Sequence, residues 1–156
     1  MTQMYASALM AFLHHLAAFT VVAALAVEVA LFKPPLTVVQ ARRLLRTDMI
    51  FGASATIVLV VGILRVEYFE KGPQYYWHDG FFLLKFAAFV AAALISIHPT
   101  LTFLSWNKTL KAGAAPQIPG GRVRSVRLSM MVELTAIVVI LLCAACMARG
   151  LGYLRG

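Results

Sequence analysis

The chain has 156 residues, of which 62% are hydrophobic and only 13% are charged, with a formal net charge of +8. Soluble domains contain about 45–50% apolar and about 25% charged residues, so this composition excludes an ordinary water-soluble enzyme or binding domain. The mean hydropathy of +0.85 points instead to an integral membrane protein.

Four apolar segments are long enough to cross a hydrocarbon layer of about 30 Å, which takes roughly 20 residues. No Lys or Arg precedes the first segment, so it is predicted to be a membrane helix and not a cleaved signal peptide. A further stretch, 36–47, is predicted to be an amphipathic helix at the membrane surface. The sequence therefore predicts an all-α, four-helix transmembrane bundle forming one domain over 1–156, with helices at 6–32, 49–66, 81–104 and 128–148.

The positive charge is concentrated on one side of the predicted bundle. Nine Lys and Arg residues lie in the first and third connections. Four lie on the other side of the bundle: Arg65 at the end of the second helix, Lys71, Arg149 and Arg155. Because basic loops stay in the cytoplasm, this pattern predicts that both termini are outside. The basic excess is thus explained by topology and by anionic lipid head groups, without nucleic acid.

Four charged residues interrupt the apolar segments: Glu28, Arg65, Lys85 and Glu133. A charge at the centre of the hydrocarbon costs roughly 2.5–3.5 kcal/mol on insertion scales. Such residues usually face the bundle interior, where they pair with one another or serve a bound group. The sequence therefore predicts an intramembrane site.

The topology sorts the polar residues into two layers. The outer basic layer contains His14, His15, Arg65 and Lys85, and the inner acidic layer contains Glu28, Asp48, His98 and Glu133. A helix turns about 100° per residue, so His14 and Glu28 share one face of the first helix, whereas His15 points elsewhere. If Glu28 faces the bundle interior, His14 does so too.

The outer basic layer has the residue types that bind haem b. Imidazole is a standard axial ligand of haem iron, and Arg or Lys can neutralise the two propionates. His14 or His15 would be the ligand, Arg65 and Lys85 would hold the propionates, and Lys85 could instead be a second ligand. The alternative is a structural network in which the histidines bond between helices and the cations extend to the membrane surface.

The inner acidic layer has two interpretations. Glu28 and Glu133 would be costly as charged groups at low dielectric, so one or both are expected to be neutral and to form a proton path or a cation site. The alternative is an ion pair with a basic residue at the interface, for which the candidates are Arg42, Arg43, Arg46 and Arg127.

A third candidate is the pair Cys143 and Cys146, followed by Met147. Soft sulfur ligands favour Cu(I), and two Cys three residues apart share one helix face. Cysteine also serves in membrane helices as a small apolar residue, so both interpretations stay open.

Motifs spread over most of the chain, from Leu13-His14-His15 with Glu28 in the first segment to Met147-Ala148-Arg149-Gly150 after the last, resemble those of a family of bacterial four-helix membrane proteins of unknown function. More distantly, the chain is similar to the HemJ-type protoporphyrinogen oxidases and to the copper resistance protein D group. The likeness to the oxidases implies a haem bound by a histidine of helix one, here His14 or His15, and a lysine of helix three, here Lys85. The motifs that carry the family resemblance are Leu13-His14-His15-Leu16-Ala17-Ala18-Phe19 with Glu28, Ala41-Arg42-Arg43-Leu44 with Asp48, Gly62-Ile63-Leu64-Arg65-Val66, Glu70-Lys71-Gly72, Tyr75-Tyr76, Phe82 to Lys85, Pro99-Thr100, Glu133 and Met147-Ala148-Arg149-Gly150.

Residues and resemblance together predict a b-type haem protein with a redox role, spanning the bacterial inner membrane several times. A porphyrinogen-oxidase-like reaction is one form of that role, but no catalytic residue is assigned. A homo-oligomer and a quinone or other redox partner are expected. Two rival hypotheses are a small transporter or ion-binding or metal-binding protein that uses Glu28 and Glu133, and a non-catalytic membrane scaffold.

Overall fold

The computed structural model describes residues 2–152, which form helices and connections without any strand. Four long helices, α1 (Thr2–Leu31), α2 (Val38–Leu64), α4 (Gly80–Ser105) and α6 (Gly120–Ala148), are each apolar and long enough to cross a membrane. Two short helices, α3 (Pro73–Trp77) and α5 (Asn107–Lys111), lie in connections, and a π-helical turn at Arg65–Phe69 follows α2. The predicted all-α bundle of four membrane helices is confirmed, while its orientation in the membrane stays a prediction.

Each long helix begins before its predicted start, most clearly α2, whereas α1 and α2 end at Leu31 and Leu64, one or two residues before their predicted ends. The stretch 36–47, predicted as a separate surface helix, continues directly into the membrane helix that we predicted to start at 49. A capping box explains the earlier start. Thr37 Oγ1 accepts from the Gln40 backbone N–H at 3.2 Å, and Gln40 Oε1 accepts from the Thr37 N–H at 2.9 Å. Similarly, α6 begins at Gly120 and not at 128, directly after Pro119.

The bundle consists of two helical hairpins. Helix α1 packs mainly on α2 and α4 packs mainly on α6, whereas contacts between the two hairpins are much sparser. The hairpins meet at the inner end in an apolar core that includes Phe32, Leu44, Phe103, Val126 and Met130. A fixed inner end and a loosely packed middle leave room for a site between the hairpins.

The outer end is closed by aromatic contacts between α3 and the start of α4. The ring of Phe82 lies 5.2 Å from that of Tyr76 and 5.7 Å from that of Trp77, and Phe86 stacks on Phe82 at 6.3 Å. The Asp79 side chain caps α4 by accepting from the backbone N–H groups of Phe81 and Phe82. These contacts fix the outer turn of α4, which carries Lys85.

Large apolar side chains are exposed on all four long helices, among them Phe19, Ile57, Leu94 and Val138. A surface of this kind is unfavourable in water and is what a lipid-facing helix requires. The protein is therefore embedded in a membrane, while Glu28, Asp48 and Glu133 are buried inside the bundle.

Candidate functional site

His14 lies against a glycine of the neighbouring helix. A Cβ atom built on Gly62 would come within 3.2 Å of His14 Cε1, so the absence of a side chain at this position lets the imidazole sit against α2. His14 is half-buried, and its Nδ1 atom is buried without a hydrogen-bond partner. His15 is exposed, with its ring at 81° to that of His14. Helical spacing predicted that the two imidazoles point in different directions. Of the two, His14 is the more buried histidine.

Arg65 and Lys85 converge on His14 from α2 and α4. Both cations interact electrostatically with the imidazole and with each other. We call His14, Arg65 and Lys85 the outer cluster. Among the described residues, the carboxylate of Glu70 forms an ion pair with Arg65, and Lys85 has no carboxylate within 4 Å. The outer cluster thus has more positive charge than its surroundings neutralise.

Glu70 is a member of this region that sequence reasoning did not assign to the site. Besides pairing with Arg65, it neighbours the phenol of Tyr76. Burial, followed by the Glu70 carboxylate, raises the pKa of Tyr76, so the phenol remains protonated at neutral pH. The Nε atom of Arg65 is buried without a partner. The motif Glu70-Lys71-Gly72 was visible in the sequence, but only folding of the π-helical turn brings Glu70 back to Arg65.

A cavity of about 300 Å³ lies in the middle of the bundle, between the two hairpins. All four long helices line it, mostly with apolar side chains, and Glu133 contributes a carboxyl group. Its wall includes Ala18 and Val58, which lie one helical turn inward from His14 and Gly62. The cavity therefore extends from near the outer cluster toward the inner part of the bundle.

Three buried carboxyl groups in the inner part of the bundle lie close enough to one another to interact electrostatically. Glu28 interacts electrostatically with Asp48 and Glu133, and Glu133 interacts with Asp48. All three are buried, with Glu28 only 2% and Glu133 only 1% exposed. We call Glu28, Asp48 and Glu133 the carboxyl cluster. The structure thus brings together three of the four residues predicted for the inner acidic layer.

His98, the fourth predicted member, belongs to a different network. Its Nδ1 atom lies 3.2 Å from Ser129 Oγ, and its Nε2 atom lies 3.3 Å from Ser125 Oγ. Both serines lie on α6, so His98 joins α4 to α6 by hydrogen bonds. His98 is thus held in a hydrogen-bonded network between two helices and is not placed with the three carboxyl groups.

The predicted alternative of ion pairs for Glu28 and Glu133 is wrong within residues 2–152. The one ion pair found there is between Arg65 and Glu70, at the other end of the bundle. Arg42 donates instead to the Leu110 backbone carbonyl at 2.9 Å. The remaining three arginine candidates are exposed: Arg43, Arg46 and Arg127.

Cys143 and Cys146 are both free thiols, Cys143 buried and Cys146 partly buried. In the part of the chain that the structure describes, no group of three or more His, Cys, Asp or Glu side chains is arranged to hold a metal ion. Cys143 lies near Lys85 on the α4–α6 side of the bundle. Copper binding by this pair stays a prediction.

Thr100 is the second residue that sequence reasoning did not assign to a site. Its hydroxyl donates to Asp48 Oδ1 at 2.7 Å, so α4 contributes a donor to the carboxyl cluster. No sequence pattern indicated that this hydroxyl would face α2.

Comparison with known proteins identifies a family and no characterised relative. No curated protein and no solved structure matches the chain significantly. The family described as "Predicted membrane protein (DUF2214)" matches residues 6–152, which includes the outer cluster, the cavity and the carboxyl cluster. Since the match covers nearly the whole chain, the protein belongs to the DUF2214 family of membrane proteins.

Proposed function

We propose that this protein binds haem b within the membrane and has a redox role, with His14 as an axial ligand. The observation that carries the proposal is the outer cluster, in which a half-buried imidazole with an unpartnered nitrogen lies beside two cations. A haem needs a nitrogen ligand for iron and positive charge for its propionates. The resemblance to the HemJ-type oxidases independently favours a histidine of α1 and a lysine of α4.

The surroundings of the outer cluster suit a flat apolar macrocycle. The hairpins are loosely packed against each other, and the cavity between them is lined mainly by apolar side chains. Cofactor sites of helical bundles are commonly built between facing helices in this way. Of the two histidines, His14 is favoured as the ligand because His15 is exposed on the outside of the bundle.

The two cations would have different roles. Arg65 already holds the Glu70 carboxylate, so its guanidinium is oriented and would bind one propionate at its remaining donors. Lys85 is half-buried and has no carboxylate partner among residues 2–152, so it would bind the other propionate or, when deprotonated, the iron. When bound, haem would supply one-electron chemistry that no side chain of this protein provides.

A redox role requires partner molecules that donate electrons to the haem or accept electrons from it. The lipid bilayer surrounds the bundle, and a quinone or another redox carrier would exchange electrons with the haem. We place the protein in the bacterial inner membrane as a homo-oligomer. A porphyrinogen-oxidase-like reaction is the specific form of this role that the resemblance suggests, and its substrate would be a porphyrinogen.

The test compares two neighbouring histidine variants. His14→Ala and His15→Ala are expressed in haem-supplemented cells and purified in detergent, and the visible spectra are recorded oxidised and reduced. The wild type and His15→Ala are expected to show a b-type signal of similar size, whereas His14→Ala loses it. Both variants remove an imidazole from the same turn of α1, so a general effect on folding would alter both.

The opposite result would reject the assignment. If His14→Ala retains the full signal while His15→Ala loses it, the ligand lies on the outside of the bundle, and the outer cluster is not the site. If the wild type is colourless, the haem proposal fails, and the transporter and scaffold hypotheses take its place.

A further inference from the structure

The carboxyl cluster is built from all four membrane helices. Glu28 comes from α1, Asp48 from α2 and Glu133 from α6, while Thr100 of α4 donates to Asp48. These positions are far apart in the sequence, and only folding of the bundle brings them together. The cluster lies at the inner end of the cavity, because Glu133 lines the cavity wall.

The carboxyl cluster has no positive partner to balance its charge. Within residues 2–152, no Lys, Arg or His lies within 4 Å of any of the three carboxyl groups. Helix α4 carries two titratable side chains, Lys85 of the outer cluster and His98, whose ring is bound to two serines of α6. Three adjacent carboxylates at low dielectric would repel one another strongly, so the cluster requires bound protons or a bound cation.

Two oxygen atoms of the cluster show where such a ligand would bind. The Oε1 atoms of Glu28 and of Glu133 are buried and have no hydrogen-bond partner. A buried carboxylate oxygen without a donor is costly, which indicates that something is missing from its surroundings. Asp48 differs from both glutamates, since one of its oxygens already accepts from Thr100.

A proton fits the carboxyl cluster better than a metal ion held by side chains. The described residues contain no group of three or more His, Cys, Asp or Glu side chains that could hold a metal ion. A proton needs only one oxygen, and it converts a charged carboxylate into a neutral group that can also donate a hydrogen bond. Binding of protons therefore resolves both the charge and the unpartnered oxygens.

We propose that the carboxyl cluster is an intramembrane proton-binding site, in which Glu28 and Glu133 hold protons at neutral pH and exchange them through the cavity. In each binding step, a hydronium ion transfers a proton to a carboxylate oxygen, leaving one water and one neutral carboxylic acid. Asp48, with its hydroxyl donor, is the member that stays ionised. The proposal is independent of haem binding, because none of these residues belongs to the outer cluster.

The test is an infrared spectrum of the purified protein in lipid, recorded in H2O and in D2O. Wild-type protein at pH 7 is expected to show the C=O stretching band of protonated carboxyl groups, shifted in D2O. Glu28→Gln and Glu133→Gln should each lose about half of the band if the two protons are held separately. Glu67→Gln, which alters an exposed glutamate, should retain it.

Addition of Na⁺, Ca²⁺ or Zn²⁺ separates protons from cations. The wild-type band is expected to be unchanged by each salt at constant pH. A band that disappears on addition of one of these ions would overturn the proposal in favour of a cation site. Absence of the band from the wild type at pH 7 would overturn it as well, and this measurement needs no variant that has to fold.

Discussion

The outer cluster and the carboxyl cluster place opposite charges toward opposite ends of the bundle, and they differ in how those charges are accommodated. In the outer cluster, the Glu70 carboxylate forms an ion pair with Arg65 near the membrane surface. In the carboxyl cluster, three acidic groups share a buried space with a hydroxyl donor and no cation. The outer cluster thus has a carboxylate partner for Arg65 and none within 4 Å for Lys85 among the described residues, and the carboxyl cluster has no cationic partner there.

The two clusters are too far apart to neutralise each other. His14 and Glu28 lie on one face of α1, but they are fourteen residues apart and therefore about 21 Å along the helix axis. At that distance, no direct ion pair is possible. In our two proposals each cluster therefore has its own ligand, the propionates of haem in the outer cluster and protons in the carboxyl cluster.

The largest expected effect comes from filling the space that Gly62 leaves for His14. Gly62→Leu places a side chain where even a Cβ atom would lie 3.2 Å from the imidazole, so His14 must move. We expect a nearly complete loss of the b-type signal in the visible spectrum. Ala53→Leu adds a similar bulk on the exposed side of the same helix and should retain the signal. Equal losses in both variants would show that the close contact has no special role.

Removal of the Arg65 guanidinium should weaken haem binding without abolishing it. A hydrogen bond to a charged group contributes about 1.5–3 kcal/mol, so Arg65→Ala should lower the affinity for haem by about 10-fold to 100-fold. Haem transfer to apomyoglobin measures the change. Arg149→Ala removes an exposed arginine from the same end of the bundle and is expected to leave the transfer rate unchanged. An unchanged rate in Arg65→Ala would remove this residue from the proposed site.

The donor from Thr100 gives a test of the carboxyl cluster. Thr100→Val keeps the shape of the side chain but removes the hydrogen bond to Asp48, leaving a buried carboxylate oxygen without a donor. Unfolding in detergent micelles should show a loss of about 1–3 kcal/mol. Thr135→Val, whose exposed hydroxyl donates only within its own helix, should change stability by less than about 0.5 kcal/mol. Similar losses in both variants would contradict a special role for the Asp48 contact.

The smallest effect is expected at His98. Ser125→Ala removes one of two serines that bind the imidazole, so its cost should be about 0.5–1.5 kcal/mol in the same unfolding experiment. The infrared band of protonated carboxyl groups should not change, because His98 is not a member of the carboxyl cluster. A band altered by Ser125→Ala would show that the two networks are coupled.

The sequence allowed the fold to be predicted more fully than the site. Hydropathy defines four spans because backbone polar groups in lipid must be bonded within a helix, and this requirement leaves few alternatives. The helical period also predicted that His14 and His15 point in different directions. This prediction needs only the angle of each residue relative to Glu28 on the same helix. Thr37 and Gln40, which form the capping box, have the sequence spacing of that motif. They mark the start of the membrane helix only because the stretch 36–47 continues into that helix.

The contacts between helices could not be predicted in the same way. Depth in the membrane grouped His98 with Glu28, Asp48 and Glu133, but depth does not specify which neighbour a side chain faces. His98 faces the serines of α6, and Thr100 two residues later faces Asp48. These orientations depend on how α4 is rotated between α2 and α6, which no single-helix pattern determines.

The most direct test of the account is the haem content of the wild-type protein. Protein from haem-supplemented cells is purified in detergent, and the haem is quantified with the pyridine haemochrome assay beside an oxidised-minus-reduced spectrum. The account predicts a b-type haem in stoichiometric proportion to the protein. A colourless protein that is folded and membrane-inserted would contradict it.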